Sequence, residues 1–379
     1  MVILAKVVIL KCEEYNPKFI YERIEYALNL IGFEPKKYKK LLFKPNLLMR
    51  KKPEEVTTTH PAVLEAVINL FKKEGVDFIV ADSPGGPYNK KRLEHIYEGT
   101  GIKEVCEKTG AKLNYNTDLV EIEISGESKL KTLPVIYPFK ECDGVISLAK
   151  LKTHRMSVYT GAVKNLYGMI PGGYKVELHF RLREVERFMD LLLDLYKSVN
   201  PVLSIIDGVI AMEGEGPSQG TPRKLGVLIV SDDALAADYA ASKIIGLKEE
   251  DFPLIKRAIK RGMFKEEDVV FLGENIDDVK VSDFKIPAKK DITFIKGIFP
   301  KAIEDYLKEL MTPKPYVNLN LCKGCAECYM TCPPKAISII EKKAKIDYKK
   351  CIKCFCCHEL CPEKAIKVKR NIIYERFLK

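Results

Sequence analysis

The sequence of 379 residues has no tryptophan, a single glutamine and five histidines. None of its apolar runs reaches the length of about 18 residues that a membrane-spanning helix needs. The apolar start, residues 1–10, has no signal-peptide cleavage site and is interpreted as a buried first strand, so a cytoplasmic protein is expected. Scarce glutamine beside abundant lysine and glutamate is typical of a thermophile.

Several cofactor and nucleic-acid signatures are also missing. Neither G-x-G-x-x-G after a strand nor G-x-x-x-x-G-K-S/T occurs, which argues against dinucleotide and P-loop nucleotide binding. The C-x3-C-x2-C run of radical S-adenosylmethionine enzymes is absent too. Basic residues are scattered and form no known DNA- or RNA-binding motif, so no nucleic-acid partner is expected.

A cysteine pattern is present twice near the C-terminus, as C-x2-C-x2-C-x3-C-P in 322–333 and again in 351–362. This spacing places three thiolates on one 4Fe–4S cluster and sends the fourth to the other cluster. Neighbouring residues repeat at the same offset of 29, which indicates a duplicated module. The sequence therefore predicts two 4Fe–4S clusters held by crossed sets of cysteines: Cys322, Cys325, Cys328 and Cys361 for cluster I, and Cys351, Cys354, Cys357 and Cys332 for cluster II.

Zinc binding, disulfide formation and haem attachment agree less well with this cysteine pattern. Structural zinc favours two facing C-x2-C pairs, and disulfides are disfavoured without a secretory signal. Cys354 to His358 spells the haem attachment signal C-x2-C-H, but the cluster pattern already uses both cysteines. Cys356 is interpreted as a small residue packed beside cluster II, and exchange with Cys357 as ligand stays open.

Segment 311–315 contains two prolines and is the predicted linker between an α/β domain, residues 1–310, and a ferredoxin domain, residues 316–379. Residues 311–379 hold 15 Lys+Arg against 6 Asp+Glu, and the negative charge of two clusters offsets only part of this excess. An acidic redox partner protein or an anionic substrate suits such a charge. A lysine-rich composition explains it equally well.

Before the linker, short apolar runs alternate with amphipathic helical stretches, which predicts an α/β fold with a mainly parallel sheet covered by helices on both faces. The ferredoxin domain adds a small α+β unit. The predicted strands cover 7–10, 41–43, 78–81, 145–148, 203–206, 227–230 and 269–272, and the predicted helices cover 17–31, 61–73, 182–197, 234–245 and 253–260.

Polar segments follow five of these strands, at 44–46, 82–86, 150–154, 207–208 and 231–233. Ligands of open α/β sheets bind beyond the carboxyl ends of the strands, so these segments are expected to line one crevice. A small anionic substrate is the predicted ligand. Ordinary turn chemistry explains residues 82–86 equally well. The predicted substrate-binding residues are Lys44, Asn46, Asp82, Lys152 and the backbone near Gly85 and Gly172.

The segment 150–179 holds two of the five histidines together with several lysines and glycines. Lysine supplies a cation or a nucleophilic amine, and histidine supplies a proton shuttle or a metal ligand. The predicted catalytic residues are therefore His154 and Lys164. A single histidine or lysine is more often structural than catalytic, so a structural role remains an alternative.

Seven segments together resemble the DUF362 family of iron–sulfur proteins: KPNL at 44–47, THP at 59–61, ADSPG at 81–85, KTH at 152–154, VKNLYG at 163–168, DG at 207–208 and EGEGP at 213–217. The resemblance covers nearly the whole chain, and many such proteins carry an appended dicluster ferredoxin domain. Because the reaction of this family is poorly defined, the resemblance implies fold and context more than chemistry.

A shorter stretch resembles the catalytic segment of nickel-pincer lactate racemases: His154, the Tyr-Thr-Gly at 159–161, Lys164 and the Pro-Gly at 171–172. This resemblance implies that His154 is an acid or base, Lys164 a cofactor anchor and His179 a ligand of a second metal. The Pro-Gly element lies further from Lys164 than in that family. The nickel cofactor itself therefore has no support from the sequence.

Three functions remain in view. In the first, the ferredoxin module exchanges electrons with a site on the α/β domain that acts on a small anionic substrate, with His154 moving the proton. In the second, the protein is a non-enzymatic electron carrier or assembly factor that docks a partner protein. In the third, racemase- or epimerase-like chemistry takes place at Lys164 and His154, and the clusters serve structure or regulation.

Overall fold

The computed structural model describes residues 4–182, 184–287, 301 and 313–369. The chain divides into two compact units, one formed by residues 1–175 and 182–287 and the other by residues 176–181 and 288–379. The predicted linker, 311–315, lies partly outside the described residues. The predicted domain bounds therefore stay a prediction.

The first unit is built on a nine-stranded sheet. Its strands are β1 (Ala5–Lys11), β2 (Lys40–Pro45), β3 (Asp77–Val80), β4 (Lys112–Leu113), β7 (Gly144–His154), β8 (Val158–Thr160), β9 (Leu203–Glu213), β10 (Thr221–Ser231) and β11 (Val269–Gly273). They are ordered β11-β1-β10-β9-β7-β2-β3-β4, with β8 paired to β7. A separate antiparallel pair comprises β5 (Leu119–Glu123) and β6 (Thr132–Ile136).

The described helices of the α/β part are α1 (Pro17–Ile31), α2 (Pro61–Lys73), α3 (Lys90–Gly99), α4 (Ile102–Thr109), α5 (Pro138–Glu141), α6 (Ala162–Asn165), α7 (Gly172–Arg181), α8 (Val185–Val199), α9 (Ala234–Ile244), α10 (Pro253–Lys260) and α11 (Ile276–Val279). Local sequence signals determine where these helices begin and end. Helix α1 begins after Asn16, whose side chain accepts the N–H groups of Lys18 and Phe19, and it ends at Gly32 with φ 74°.

Both faces of the sheet are covered. On β1, Val8 and Leu10 pack in a core with apolar side chains of α1 and α2, while the alternate residues Val7 and Ile9 are also fully buried. Residues buried on alternate sides of one strand require cover on both sides. The predicted α/β class with a mainly parallel sheet is confirmed, because β2, β3, β4, β7 and β9 run parallel, as do β1 and β11.

The direction of strand β10 differs from the parallel arrangement that was expected. Strand β10 runs antiparallel to β9, so that Ser231 at its end pairs with Ser204 near the start of β9. The polar segment 231–233 therefore lies at the amino edge of the parallel strands, and the prediction that it shares the crevice is wrong. The link of seven residues between β9 and β10 is too short for the crossover that a parallel pair needs.

Among the described residues, no helix combines the length and apolar character needed to cross a membrane.

In residues 313–369, the structure of the second unit shows two small antiparallel sheets and two short helices. Strand β12 (Lys314–Val317) pairs with β15 (Ile366–Lys369), and β13 (Ile337–Ile340) pairs with β14 (Lys343–Ile346). The helices are α12 (Glu327–Met330) and α13 (Cys356–Glu359). Helix α13 lies 29 positions after α12, and β14 and β15 lie 29 positions after β12 and β13, so the sequence repeat is also a structural repeat.

Candidate functional site

The eight predicted ligand cysteines line two separate cavities of the second unit. The first cavity, of about 330 Å³ and partly open to solvent, is lined by Cys322, Cys325, Cys328 and Cys361. The second, of about 320 Å³, is lined by Cys332, Cys351, Cys354 and Cys357, together with Cys356. Each cavity thus collects three cysteines of one sequence copy and the fourth cysteine of the other copy.

The cysteine loops repeat at the level of the backbone. Positive φ angles occur at Ala326 and Phe355, both 64°, immediately before the short helices, and at Lys335 (49°) and Lys364 (50°) after the fourth cysteines. Such angles are uncommon outside glycine. Their recurrence at the same offset shows that both loops adopt one wrapped conformation around their cavities.

Backbone N–H groups are directed at the cysteine sulfurs. The N–H of Ala336 donates to Cys332 Sγ at 3.2 Å, and the N–H of Ala365 donates to Cys361 Sγ at 3.2 Å. Ala344 N–H donates in the same way to Cys322 Sγ at 3.4 Å. Hydrogen bonds of this type stabilise negative charge on cluster ligands and tune the reduction potential.

The cavities fit clusters better than single ions. Each thiolate of a 4Fe–4S cube binds a different iron, so the four sulfurs have to surround a space instead of converging on one point. Among the described residues, no three His, Cys, Asp or Glu side chains converge in the way that a single metal ion requires. Burial, followed by the charges of Cys361, Cys325 and Cys322, raises the pKa of Cys328 to about 11. Four bound irons would offset this crowding of negative charge.

Cys356 lies in the second cavity, where its own pKa is raised by a hydrogen bond with Cys354 and by burial. The corresponding position of the first copy is Glu327. The second cavity therefore has a fifth sulfur that the first one lacks.

In the first unit, a buried polar network joins the ends of β2 and β3. Lys44 is fully buried, and its Nζ lies 3.0 Å from Asp82 Oδ1 while donating to Asn165 Oδ1 at 2.9 Å and to Pro45 O at 3.1 Å. Burial lowers the pKa of Lys44 and the charge of Asp82 opposes this change. All three N–H groups of the ammonium thus have acceptors within the protein.

The other predicted residues of this region also have partners within the protein. Asp82 Oδ2 accepts the N–H of Leu47 at 2.7 Å, and the N–H of Gly85 donates to Leu48 O at 2.9 Å. Asn46 Nδ2 donates to Asn165 Oδ1 at 3.1 Å. The structure thus brings the predicted Lys44, Asn46 and Asp82 together around Asn165.

A second buried network lies within β7 and β9, because both strands continue past the predicted ends and include Lys150 and Asp207, which pair in the sheet. Lys150 Nζ lies 2.9 Å from Asp207 Oδ2 and 2.7 Å from the hydroxyl of Tyr15, which donates to Asp207 Oδ1 at 2.9 Å. The ring of His60 stacks on Tyr15 at 3.5 Å, and its Nδ1 accepts the N–H of Ala62 at the start of α2. Burial lowers the pKa of His60 to about 4, so the ring is neutral at pH 7.

His154 and Lys152 point into well-packed surroundings. His154 Nδ1 accepts the N–H groups of Met156 at 3.1 Å and Ser157 at 3.3 Å, which leaves the ring proton of a neutral His154 on Nε2. Lys152 Nζ donates to Thr57 O at 2.6 Å. Both side chains are buried at the end of β7.

Lys164 lies in α6, whose first N–H groups bind the side chain of Asp238, a residue distant in the sequence. The carboxylate of Asp238 accepts the N–H groups of Ala162 at 2.6 Å and Val163 at 3.1 Å, and burial raises its pKa to about 7. Lys164 Nζ lies 5.1 Å from the ring centre of Tyr167 and 5.4 Å from that of Phe188. The catalytic roles of Lys164 and His154 stay a prediction.

Gly172 and His179 both lie in α7. A Cβ at Gly172 would lie 1.8 Å from Gly86 O, so only glycine permits the start of α7 to approach the 84–86 loop. His179 is buried further along the helix. The role of His179 as a ligand of a second metal stays a prediction from the racemase resemblance.

Sequence reasoning missed several residues of these networks. Asn165 lies in the recognised motif 163–168, and Asp207 lies in the recognised motif 207–208. Membership of these motifs was a signal by which both residues could have been predicted. Tyr15 and Asp238 could not be predicted from local sequence. Tyr15 bonds to Asp207, which is 192 positions away, and Asp238 bonds to Ala162, which is 76 positions away. Lys175 was noted only as part of a lysine-rich segment.

Comparison with protein families finds two matches. The model described as a domain of unknown function (DUF362) matches residues 41–243, and the model of a 4Fe-4S dicluster domain matches residues 314–362. The first match covers most of the first unit, and the second lies within residues 288–379 of the second unit.

Among curated proteins, the thylakoid-associated protein sll1697 of Synechocystis sp. is 30% identical over 230 residues, which cover 59% of this chain and 68% of that protein. Solved structures give more distant likenesses. The lactate racemase apoprotein from Thermoanaerobacterium thermosaccharolyticum has TM-score 0.38 and 11% identity, over 62% of this chain and 56% of that chain. A protein from Thermotoga maritima has TM-score 0.37 and 14% identity, over 61% of this chain and 59% of that chain. The chain spans less than two thirds of either solved chain.

Proposed function

Because this chain belongs to the DUF362 family and also carries a 4Fe-4S dicluster domain, we propose that it is an electron-transfer protein whose two clusters exchange electrons with a small-anion site on the α/β domain. The observation that carries the proposal is the pair of cysteine-lined cavities with crossed cysteine sets. When bound, two 4Fe–4S clusters supply one-electron chemistry.

The ligand sets of this proposal are those predicted from the sequence. Cys322, Cys325, Cys328 and Cys361 would hold cluster I. Cys332, Cys351, Cys354 and Cys357 would hold cluster II. The N–H groups donated to Cys322, Cys332 and Cys361 would keep electron density on the sulfurs.

Charge supports an anionic substrate on the α/β domain. The charges of Lys44 and Lys164 act on Lys175, and Asp82 is the carboxylate that opposes them. Since the ion pair with Lys44 already engages Asp82, positive charge is in excess around Lys175. A small carboxylate or phosphate would relieve this excess.

His154 is the proposed proton donor or acceptor. Its Nδ1 accepts two backbone N–H groups, so in the neutral ring the proton that His154 would exchange lies on Nε2. The roles of Lys44, Asn46 and Asp82 are proposed as positioning ones, since Asn165 and the ion pair already hold them. The proposed location remains the cytoplasm, and the proposed class of activity is an oxidoreductase.

Metal content and reduction test the proposal. Protein purified without oxygen is expected to contain about eight irons and eight sulfides per chain and to accept about two electrons. Zinc in place of iron, or far fewer irons, would contradict the cluster assignment. A substrate screen follows on the reduced protein, in which reoxidation by a small anion should fall strongly in Lys164→Met while cluster reduction by dithionite stays unchanged.

A non-enzymatic carrier that docks a partner protein is the second candidate. It is favoured by the buried ion pairs of Lys44 and Lys150, which use both lysines for structure. In that case an acidic redox partner would reoxidise the clusters, and Lys164→Met would leave the rate unchanged. The relative's name reports an association with thylakoids, but it supplies no partner for this chain.

A further inference from the structure

Lys175 is held in place by the start of α7. Because Gly172 lies directly against Gly86 O, the first turns of the helix pack on the loop after β3. The Nζ of Lys175 donates to Ser83 O on that loop. The residue as a whole is half-buried, while its amine is enclosed by protein and held in a fixed position.

Two other lysines face this amine. Lys44 from β2 and Lys164 from α6 both act electrostatically on Lys175, as does Asp82 from the loop after β3. The ring of Tyr167 lies beneath them, with its centre 6.0 Å from Lys175 Nζ and 5.1 Å from Lys164 Nζ. Burial lowers the pKa of Lys175 to about 7, Asp82 opposes this change, and Lys44 and Lys164 reinforce it.

The residue whose carbonyl binds the amine also has a buried hydroxyl without a partner among the described residues. Ser83 is fully buried, and among the described residues its Oγ has no hydrogen-bond partner. Buried hydroxyls normally bond to something, and a ligand oxygen is one such partner. The same residue supplies the carbonyl that Lys175 binds.

We propose that Lys175 is a nucleophilic amine that forms an imine with small carbonyl acids, such as 2-oxo acids or aldehyde acids. The inference deepens the proposed function, since it depends on the small-anion site described above. The neutral amine attacks the carbonyl carbon, a C–N bond forms, and the carbinolamine loses its oxygen as water to give the imine. No oxidant or reductant is consumed in this step.

The positions of the neighbours suit this reaction. Lys164 supplies positive charge for the carboxylate of the acid, and Ser83 Oγ supplies a hydrogen bond for the carbinolamine oxygen. Lys44 stays paired with Asp82, so this carboxylate is engaged and does not compete with the acid for Lys164. With a pKa of about 7, a large fraction of the amine is neutral at pH 7, as an attacking lysine requires.

Trapping the imine tests the proposal on the intact, anaerobically prepared protein. Glyoxylate with cyanoborohydride at pH 7 converts a reacting lysine to carboxymethyl-lysine, which peptide mass spectrometry locates. Lys175 is expected to be modified about tenfold or more faster than the exposed Lys197 on α8. Modification of Lys175 at the rate of Lys197, or none at Lys175, would overturn the proposal.

Two further experiments separate the contribution of the substrate carboxylate from that of Lys164. Formaldehyde, which has no carboxylate, should favour Lys175 less strongly than glyoxylate does, and an equal preference would overturn the acid specificity. In Lys164→Met, trapping by glyoxylate should slow at pH 7 and recover only in part at pH 10, because the effect on the pKa of Lys175 disappears there while the lost contact with the carboxylate remains. An unchanged rate at pH 7 would overturn the role of Lys164. Electron uptake is measured on the same samples, so a failure of redox exchange is distinguished from a failure of Lys175 to react.

Discussion

At the scale of single residues, two of the lysines that the α/β unit buries on its strands are each paired with an aspartate. Lys44 lies 3.0 Å from Asp82, and Lys150 lies 2.9 Å from Asp207. Losing one partner of such a pair typically costs about 3–5 kcal/mol, because the remaining charge stays buried. These lysines are therefore expected to be essential for stability whether or not they bind a substrate.

The fifth sulfur of the second cavity leads to a prediction about single ligands. Cys328→Ala should lower the iron content from about eight to about four per chain, because cluster I has no spare thiol. Cys357→Ala should retain more iron, since Cys356 lines the same cavity and precedes Cys357 in α13. Iron and sulfide analysis of both variants, prepared without oxygen, measures the difference.

The double variant Cys356→Ala/Cys357→Ala is the control and should lose as much iron as Cys328→Ala. Equal loss in the two single variants would show that Cys356 does not take the place of Cys357.

At the scale of elements, the two halves of the ferredoxin unit adopt the same backbone conformation at equivalent loop positions that carry different residues. Gly324 and Lys353 occupy equivalent positions 29 residues apart, and both have positive φ angles, 69° and 55°. A Cβ at Gly324 would lie 2.3 Å from Lys342 O. Glycine is therefore required in the first loop, whereas the second loop accepts a side chain at some cost in strain.

Replacing the residues of this pair should give unequal effects. Gly324→Ala is expected to destabilise the unit by about 1–2 kcal/mol from the backbone angle alone, with the contact to Lys342 adding to it. In Lys353→Gly, relief of strain and greater freedom of the unfolded chain nearly cancel, so stability should change by less than about 1 kcal/mol. Denaturant unfolding of the reconstituted proteins measures both. Equal destabilisation by the two replacements would contradict the conclusion that only the first loop requires glycine.

At the scale of the whole molecule, stability should depend on pH through Lys175. Its pKa falls from 10.5 to about 7 on folding, chiefly through burial. Above pH 10.5 the amine is neutral in both states. As the pH falls from 10.5 towards 7, the unfolded chain takes up a proton that the folded protein does not, so stability decreases.

The difference between wild type and Lys175→Met isolates this contribution from the tyrosines and cysteines that titrate in the same range. Wild type should gain about 2 kcal/mol relative to the variant between pH 7 and 10.5, after allowance for solvent contact of the half-buried side chain. Thermal unfolding across this range checks the slope. Parallel pH profiles for the two proteins would mean that Lys175 has an ordinary pKa.

Local sequence was sufficient for much of the fold. Helices α1, α2 and α10 begin and end where they were predicted, because an N-cap or a proline starts each of them and the apolar spacing fixes the buried face. Most strands were located, but several are longer than expected. Strand β9 extends to Glu213 because its continuation pairs with β10, and pairing partners are not visible in a single strand's residues.

The sequence by itself determined the cysteine spacing, the 29-residue repeat and the polar segments after the strands, because these depend on residues close together in the chain. Only the tertiary structure decided the direction of β10, the pairing of Lys150 with Asp207 and Tyr15, and the position of Lys175 beside two other lysines. These features depend on groups tens to hundreds of positions apart. Burial and charge, which set the chemistry of an amine, exist only once the chain has brought such groups together.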